Sequence, residues 1–165
     1  MALFGSEKRD KSRSLKVGSV VPRFSALSSA GDPVVLDELL QLGRVVISFF
    51  PKAFTPVCTQ QACALKAGER SPAPELAAQQ TGLSVVGISP DDAGTQERFR
   101  KEKHLPYPLI PDTHLRLFTL FEVWVPFTRV PGRATFLVEG SGKIVTVSRS
   151  LWRAGAHGAV LSYGR

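Results

Sequence analysis

A run of β-branched and aromatic residues, Val45-Val-Ile-Ser-Phe-Phe50, ends abruptly at Pro51. The run has no polar alternation, so it reads as a strand buried on both faces in the middle of a covered sheet. Proline cannot extend such a strand, because it lacks the N–H that the ladder needs. Beyond it, Lys52-Ala-Phe-Thr-Pro-Val-Cys58 is a short loop closing on a cysteine, and Thr59-Gln-Gln-Ala-Cys-Ala-Leu-Lys-Ala67 is made largely of helix-favouring residues. Pro56 stands where helix starts tolerate proline. Cys58 therefore falls in the first turn of a helix expected over residues 58 to 69. Free N–H groups and the positive end of the macrodipole stabilise an anion there, and the anion would be a thiolate.

The rest of the chain supplies a sheet around that strand. Residues 24 to 27 and 34 to 36 read as a hairpin across the turn Ser28-Ser-Ala-Gly-Asp-Pro33, and 37 to 42 as one or two helical turns ended by Gly43. A helical piece at 75 to 80 precedes an apolar strand at 83 to 88, bounded by Gly82 and Pro90. Asp91 and Asp92 offer caps for a polar helix over 93 to 104, which Pro106 and Pro108 stop. Pro111-Asp-Thr113 begins another helix, to about residue 120, and 122 to 128 is an irregular loop carrying Trp124. After the Pro131-Gly132 turn come strands at 134 to 138 and 143 to 147 around Gly140-Ser-Gly142, then a helix at 154 to 163. This alternation predicts an α/β fold, a mixed central sheet with helices on both faces and an N-terminal β-hairpin extension. The 165 residues suffice for one hydrophobic core. The expected organisation is a disordered basic tail over 1–14 and a single domain over 15–165.

Several function classes are set aside by composition. No apolar run is long enough to span a membrane. No apolar segment follows the charges near Met1, so the expected location is the cytoplasm. The net charge is +7, part of it in Lys8, Arg9, Lys11, Arg13 and Lys16 against Glu7 and Asp10. The remainder is scattered, with no aromatic-interleaved basic stripe, and no nucleic-acid partner is expected. His104, His114 and His157 match no metal-ligand spacing, so no metal is expected. Two cysteines without an export signal point to thiol chemistry rather than a disulfide framework, and their five-residue separation is not the C-x-x-C of a dithiol donor.

A thiolate attacks where a thiol hardly does, so Cys58 needs groups that stabilise its anion. Thr55 carries a hydroxyl one tight turn upstream. Arg133 is the candidate cation, standing directly after the Pro-Gly turn at the entry to a strand of the same sheet. Its guanidinium is always charged and offers several donors in one plane. Lys52 is a weaker candidate for the same part.

The pattern of Pro51, Thr55 and Cys58, with Arg133 in Pro-Gly-Arg-Ala-Thr-Phe, resembles that of the peroxiredoxins, thiol peroxidases of thioredoxin-like fold. The resemblance runs from Leu15-Lys-Val-Gly through Val86-Gly-Ile-Ser-Pro-Asp91 and Pro106-Tyr-Pro-Leu-Ile-Pro-Asp112 to the end of the chain. It implies no cofactor and a substrate that is hydrogen peroxide, an organic hydroperoxide or both. By the same resemblance, Cys58 is the peroxidatic cysteine that becomes a sulfenic acid, and Thr55 and Arg133 hold the peroxide. Pro51 shields the site, and Gln61 stands where the family has Glu or Gln supporting the pocket.

Cys63 resembles the second cysteine of the bacterioferritin comigratory protein, or Q-type, branch. There it resolves the sulfenic acid into an intramolecular disulfide, which thioredoxin or a related dithiol protein reopens; the chain would be a monomer or weak homodimer. In an intact helix, Cα atoms five residues apart lie about 8.6 Å from each other. A disulfide spans less than about 7 Å, so this role requires the helix to unwind. Two alternatives stay open: a one-cysteine peroxiredoxin with Cys63 as a small buried hydrophobe, and a non-enzymatic peroxide sensor or thiol relay. Phe54 is either an apolar dimer contact or a loop residue folded onto the core. Trp124 and Phe127 either line the approach to the pocket or pack in the core.

Overall fold

The run at 45 to 50 becomes the middle of a sheet in the computed structural model, which describes residues 14–66, 82–150 and 160. Within the described residues the elements are, in order, β1 (Ser25–Leu27), β2 (Pro33–Val35), α1 (Leu36–Leu42), β3 (Arg44–Phe49), α2 (Pro56–Ala64), β4 (Leu83–Ser89), α3 (Ala93–Glu102), β5 (Leu109–Pro111), α4 (Arg116–Leu120), β6 (Ala134–Val138) and β7 (Ile144–Ser148). The main sheet has the order β5-β4-β3-β6-β7, and β1 and β2 form the expected separate hairpin. β3 runs parallel to β4, with Ile47 opposite Val86, and antiparallel to β6, with Ile47 opposite Phe136. The sheet is therefore mixed, as the alternation predicts.

Successive side chains of β3 point to opposite faces, and both faces are covered. Val45, Ile47 and Phe49 pack with Leu36 and Leu40 of α1, Leu117 and Phe118 of α4, and Phe121. The Phe49 ring lies 5.1 Å from those of both Phe118 and Phe121. On the other face Val46 and Phe50 pack with Cys58 and Ala62 of α2 and Phe99 of α3. Burial of each such aliphatic or aromatic side chain contributes about 1.5–3 kcal/mol, so two filled faces fix this strand at the centre.

Two boundaries differ from expectation. α3 stops at Glu102, ahead of residue 104, because His104 takes a left-handed conformation (φ 51°). The His104 N–H then bonds the Lys101 carbonyl at 3.1 Å and the Leu105 N–H the Arg100 carbonyl at 2.9 Å, the paired bonds of a Schellman end. The second difference is β5, a strand that the sequence does not predict, ending at Pro111 where the next helix is expected to start. Proline is tolerated in an edge strand, and here Leu109 pairs with Gly87 and Pro111 with Ser89. α4 starts later because Asp112 takes up its first N–H groups, those of Arg116, Leu117 and Phe118, each at 2.9 Å. The helices expected at 75 to 80 and 154 to 163, residues 67 to 69 of the cysteine helix and the tail through residue 13 lie outside the described residues. Among the described residues, no helix is long and apolar enough to cross a membrane.

Glu97 ties α3 to the hairpin, accepting from Ser29 Oγ at 2.9 Å and pairing with Arg100 at 2.6 Å. The Arg100 hydrogen bond holds its carboxyl down from the ordinary 4.5 to about 2. A carboxyl depressed by folding stabilises the fold fully above its unfolded value and loses that contribution as pH falls through the folded one. Thermal melts should therefore show wild-type stability declining more steeply than that of Glu97→Gln between pH 4.5 and 2. Parallel declines would show that the pair contributes nothing.

Candidate active site

α2 begins at the end of the loop that leaves β3. Thr55 is its N-cap, with extended backbone (φ −76°, ψ 149°), and Pro56 is its first helical residue. The Thr59 N–H closes the first turn on the Thr55 carbonyl at 2.9 Å. Val57 and Cys58 stand too early in the helix for their N–H groups to find a carbonyl one turn back. The Cys58 thiol thus sits at the positive end of α2. It is 1% exposed, packed among Phe50, Ala53, Ala62 and Leu65. The Thr55 hydroxyl donates to the Lys52 carbonyl at 2.9 Å, which leaves its oxygen as an acceptor. Pro51 is half-buried at the start of the loop, and Lys52 is exposed.

The loop is anchored by a residue expected to cap the next helix. Asp91 is not a helix cap. Its Oδ2 accepts from the Ala53 N–H at 2.7 Å and from Ser89 Oγ at 2.8 Å. Ser89 Oγ in turn accepts from Gln96 Nε2 at 2.8 Å, and the same Gln96 nitrogen donates to the Ile110 carbonyl at 2.8 Å. A chain of hydrogen bonds therefore runs from β5 through α3 to the cysteine loop. Asp92 alone caps α3, accepting from the Thr95 N–H at 2.7 Å. Two adjacent aspartates after an apolar strand carry no signal that would divide these jobs between them.

Phe54 is folded onto the core. Its ring meets that of Phe99 edge-on at 5.1 Å, with the Arg98 guanidinium 4.9 Å above it. Trp124 is partly buried against the first core, 6.5 Å from Phe118. Phe127 is not in the core: at the tip of the loop that follows, it is fully exposed, with φ 62°.

Gln61, one turn after Cys58, has no solvent exposure. Its amide nitrogen donates to Ser48 Oγ at 2.8 Å and the Phe49 carbonyl at 3.1 Å, with Thr135 Oγ1 at 3.3 Å. Its Oε1 accepts from Arg133 Nη1 at 2.6 Å. Gln61 thereby joins α2 to β3 and β6 and aims the guanidinium. Arg133 reaches this position because Gly132 lies against the Trp124 backbone, where a Cβ would come within 2.8 Å of the carbonyl carbon. Arg133 is 7% exposed, its Nε has no partner, and among the described residues it forms no ion pair. A buried cation without a carboxylate is costly and favours an incoming anion or polarised oxygen.

Thr55, Cys58 and Gln61 thus follow one another along the first turns of α2, and Arg133 meets that helix through Gln61. Cys63 is half-buried further along the same helix, which stays regular through both cysteines, and both thiols are free.

Residues 17–147 match the model of the AhpC/TSA family. The chain is 33% identical over 155 residues to Peroxiredoxin Bcp of Escherichia coli (strain K12), covering 90% of this chain and 95% of that protein. To chloroplastic Peroxiredoxin Q of Gentiana triflora it is 32% identical over 144 residues, 85% of this chain and 62% of the other. Among solved structures, Peroxidoxin BcpB from Mycobacterium tuberculosis aligns with a TM-score of 0.75 at 30% identity, covering 92% of this chain and 99% of that one. A Xanthomonas campestris Peroxiredoxin Q aligns with a TM-score of 0.71 at 26% identity, over 84% and 88% of the two chains. The match spans nearly the whole length of the Escherichia coli and Mycobacterium tuberculosis proteins, and the chain belongs to the AhpC/TSA family as a peroxiredoxin, a thiol peroxidase of thioredoxin-like fold and of the Bcp and peroxiredoxin Q type.

Proposed function

We propose that this peroxidase reduces hydrogen peroxide and organic hydroperoxides with Cys58 as the attacking thiolate. Cys63 then closes an intramolecular disulfide, and thioredoxin or a related dithiol protein reopens it. The observation that carries the first step is Arg133, a buried guanidinium that forms no ion pair among the described residues and is aimed by the residue one turn after Cys58. The Cys58 sulfur attacks one peroxide oxygen, so that an S–O bond forms as the O–O bond breaks. The leaving oxygen departs as hydroxide or alkoxide and takes a proton to become water or an alcohol. Arg133 and the free N–H groups of the first turn stabilise the charge growing on that oxygen, where electrostatic catalysis acts. Because the Thr55 hydroxyl already donates to Lys52, its oxygen accepts a hydrogen bond from the peroxide O–H. Pro51 shields the thiolate side from water.

The second step forms an S–S bond as Cys63 attacks the sulfenic sulfur, and water leaves. An external dithiol must then exchange into the bridge. Every group in this sequence comes from one chain, so the proposed unit is a monomer or weak homodimer. Two free thiols suit a reducing compartment, and the cytoplasm is the proposed location. The regular helix through both cysteines favours a second reading, in which Cys63 is structural and an external thiol takes up the sulfenic acid. One equivalent of peroxide followed by non-reducing peptide mass mapping separates the two. A 58–63 bridge within one chain is expected; a persistent sulfenic acid supports the second reading, and a bridge between chains removes the first.

A further inference from the structure

Joining Cys63 to Cys58 requires α2 to open between them, and two attachments hold it closed there. Gln61 is one. The other is Tyr107, whose buried phenol donates to the carbonyl of Ala62 at 2.6 Å, across 45 residues of sequence. Ala62 lies inside the segment that must unwind, next to Cys63. Tyr107 belongs to the approach to β5, between two prolines that stiffen the backbone. The backbone of that approach is fastened to the sheet: the Gly87 N–H donates to the Pro108 carbonyl at 3.0 Å. The bare Cα of Gly87 makes the close packing feasible, since a Cβ there would lie 2.5 Å from Leu109 Cδ2 and 3.5 Å from the Tyr107 ring. The phenol thus reaches α2 from a fixed base.

We propose that Tyr107 is a positioning residue that latches α2, keeping it helical while Cys58 meets peroxide and setting how fast it opens for the disulfide. The inference rests on the reading of Cys63 as the resolving cysteine. Once α2 opens, water satisfies both the phenol and the Ala62 carbonyl, so the hydrogen bond favours the closed form alone. Removing the hydroxyl leaves a buried carbonyl short of a partner in the closed form, which raises the open population by about three- to tenfold.

The test is Tyr107→Phe in the full chain. Quenched-flow alkylation with mass detection should show an unchanged rate of sulfenic acid formation and disulfide closure about three- to tenfold faster. Less sulfinic acid should form at high peroxide, because the sulfenic acid lives for a shorter time. A second arm uses the reduced Cys63→Ser protein with and without Tyr107→Phe. Hydrogen exchange of α2 amides should accelerate by the same factor while amides of α3 and β6 stay as they were. Acceleration everywhere would mean general destabilisation and would overturn the latch, as would an unchanged closure rate in a protein that does form the bridge. If the parent forms no intrachain bridge, the Cys63 reading falls by itself; the latch then stands or falls on the exchange arm, where equal α2 rates with and without the hydroxyl overturn it.

Discussion

Cys58→Ser is expected to consume peroxide no faster than buffer, a loss of more than about 1,000-fold, as removal of a sole nucleophile produces. A serine hydroxyl is not ionised at neutral pH, and neither the helix start nor Arg133 can turn it into a comparable nucleophile. The substitution exchanges one small buried atom for another, so circular dichroism and melting should stay near wild type. Cys63→Ser should behave differently. It should carry out one oxidation per chain at the parent rate and then stall, its sulfenic acid advancing to sulfinic acid under excess peroxide. Peroxide consumption coupled to thioredoxin reduction distinguishes the three proteins in one assay. Retention of a tenth of wild-type turnover by Cys58→Ser would place the nucleophile elsewhere.

The next largest effect is expected at Arg133. Arg133→Met keeps much of the aliphatic volume and removes the charge, and should lower the second-order rate constant with peroxide by about 100- to 1,000-fold, the scale of losing an oriented donor to developing charge. Arg133→Lys should recover only a small part, because an ammonium cannot serve the Gln61 oxygen and a peroxide oxygen in one plane. The Met variant leaves Gln61 Oε1 without its 2.6 Å donor and should melt lower, so rates belong well below the melting temperature. A Met variant within threefold of wild type would show that the buried charge serves packing alone.

Much of the architecture was legible because it depends on local composition. The unbroken apolar run of β3, the turn-rich hairpin and the proline-marked start of α2 all state their structure within a few residues. β5 was not legible, because a three-residue edge strand flanked by prolines owes its existence to β4 beside it. The site divides the same way. Cys58, Thr55 and Gln61 lie close together in the sequence, and Arg133, placed after Pro131-Gly132, comes from 72 residues away to bond Gln61. Asp91 and Tyr107 were missed as holders of this segment because their partners, Ala53 and Ala62, are backbone groups 38 and 45 residues away. No spacing rule encodes an N–H or carbonyl met only after the sheet has formed.

Gln61 lies between the two cysteines and is satisfied on every side: Ser48, Phe49, Thr135 and Arg133 all take part in its bonding. On the proposed cycle, forming the bridge pulls this amide out of its place and gives up the bonds it makes there. The same contacts re-form when the bridge is cut. The recoil of α2 then acts as a driving force on thiol exchange: it draws the mixed disulfide toward reduced enzyme, lessens the reducing power the donor must bring, and discourages the reverse reaction.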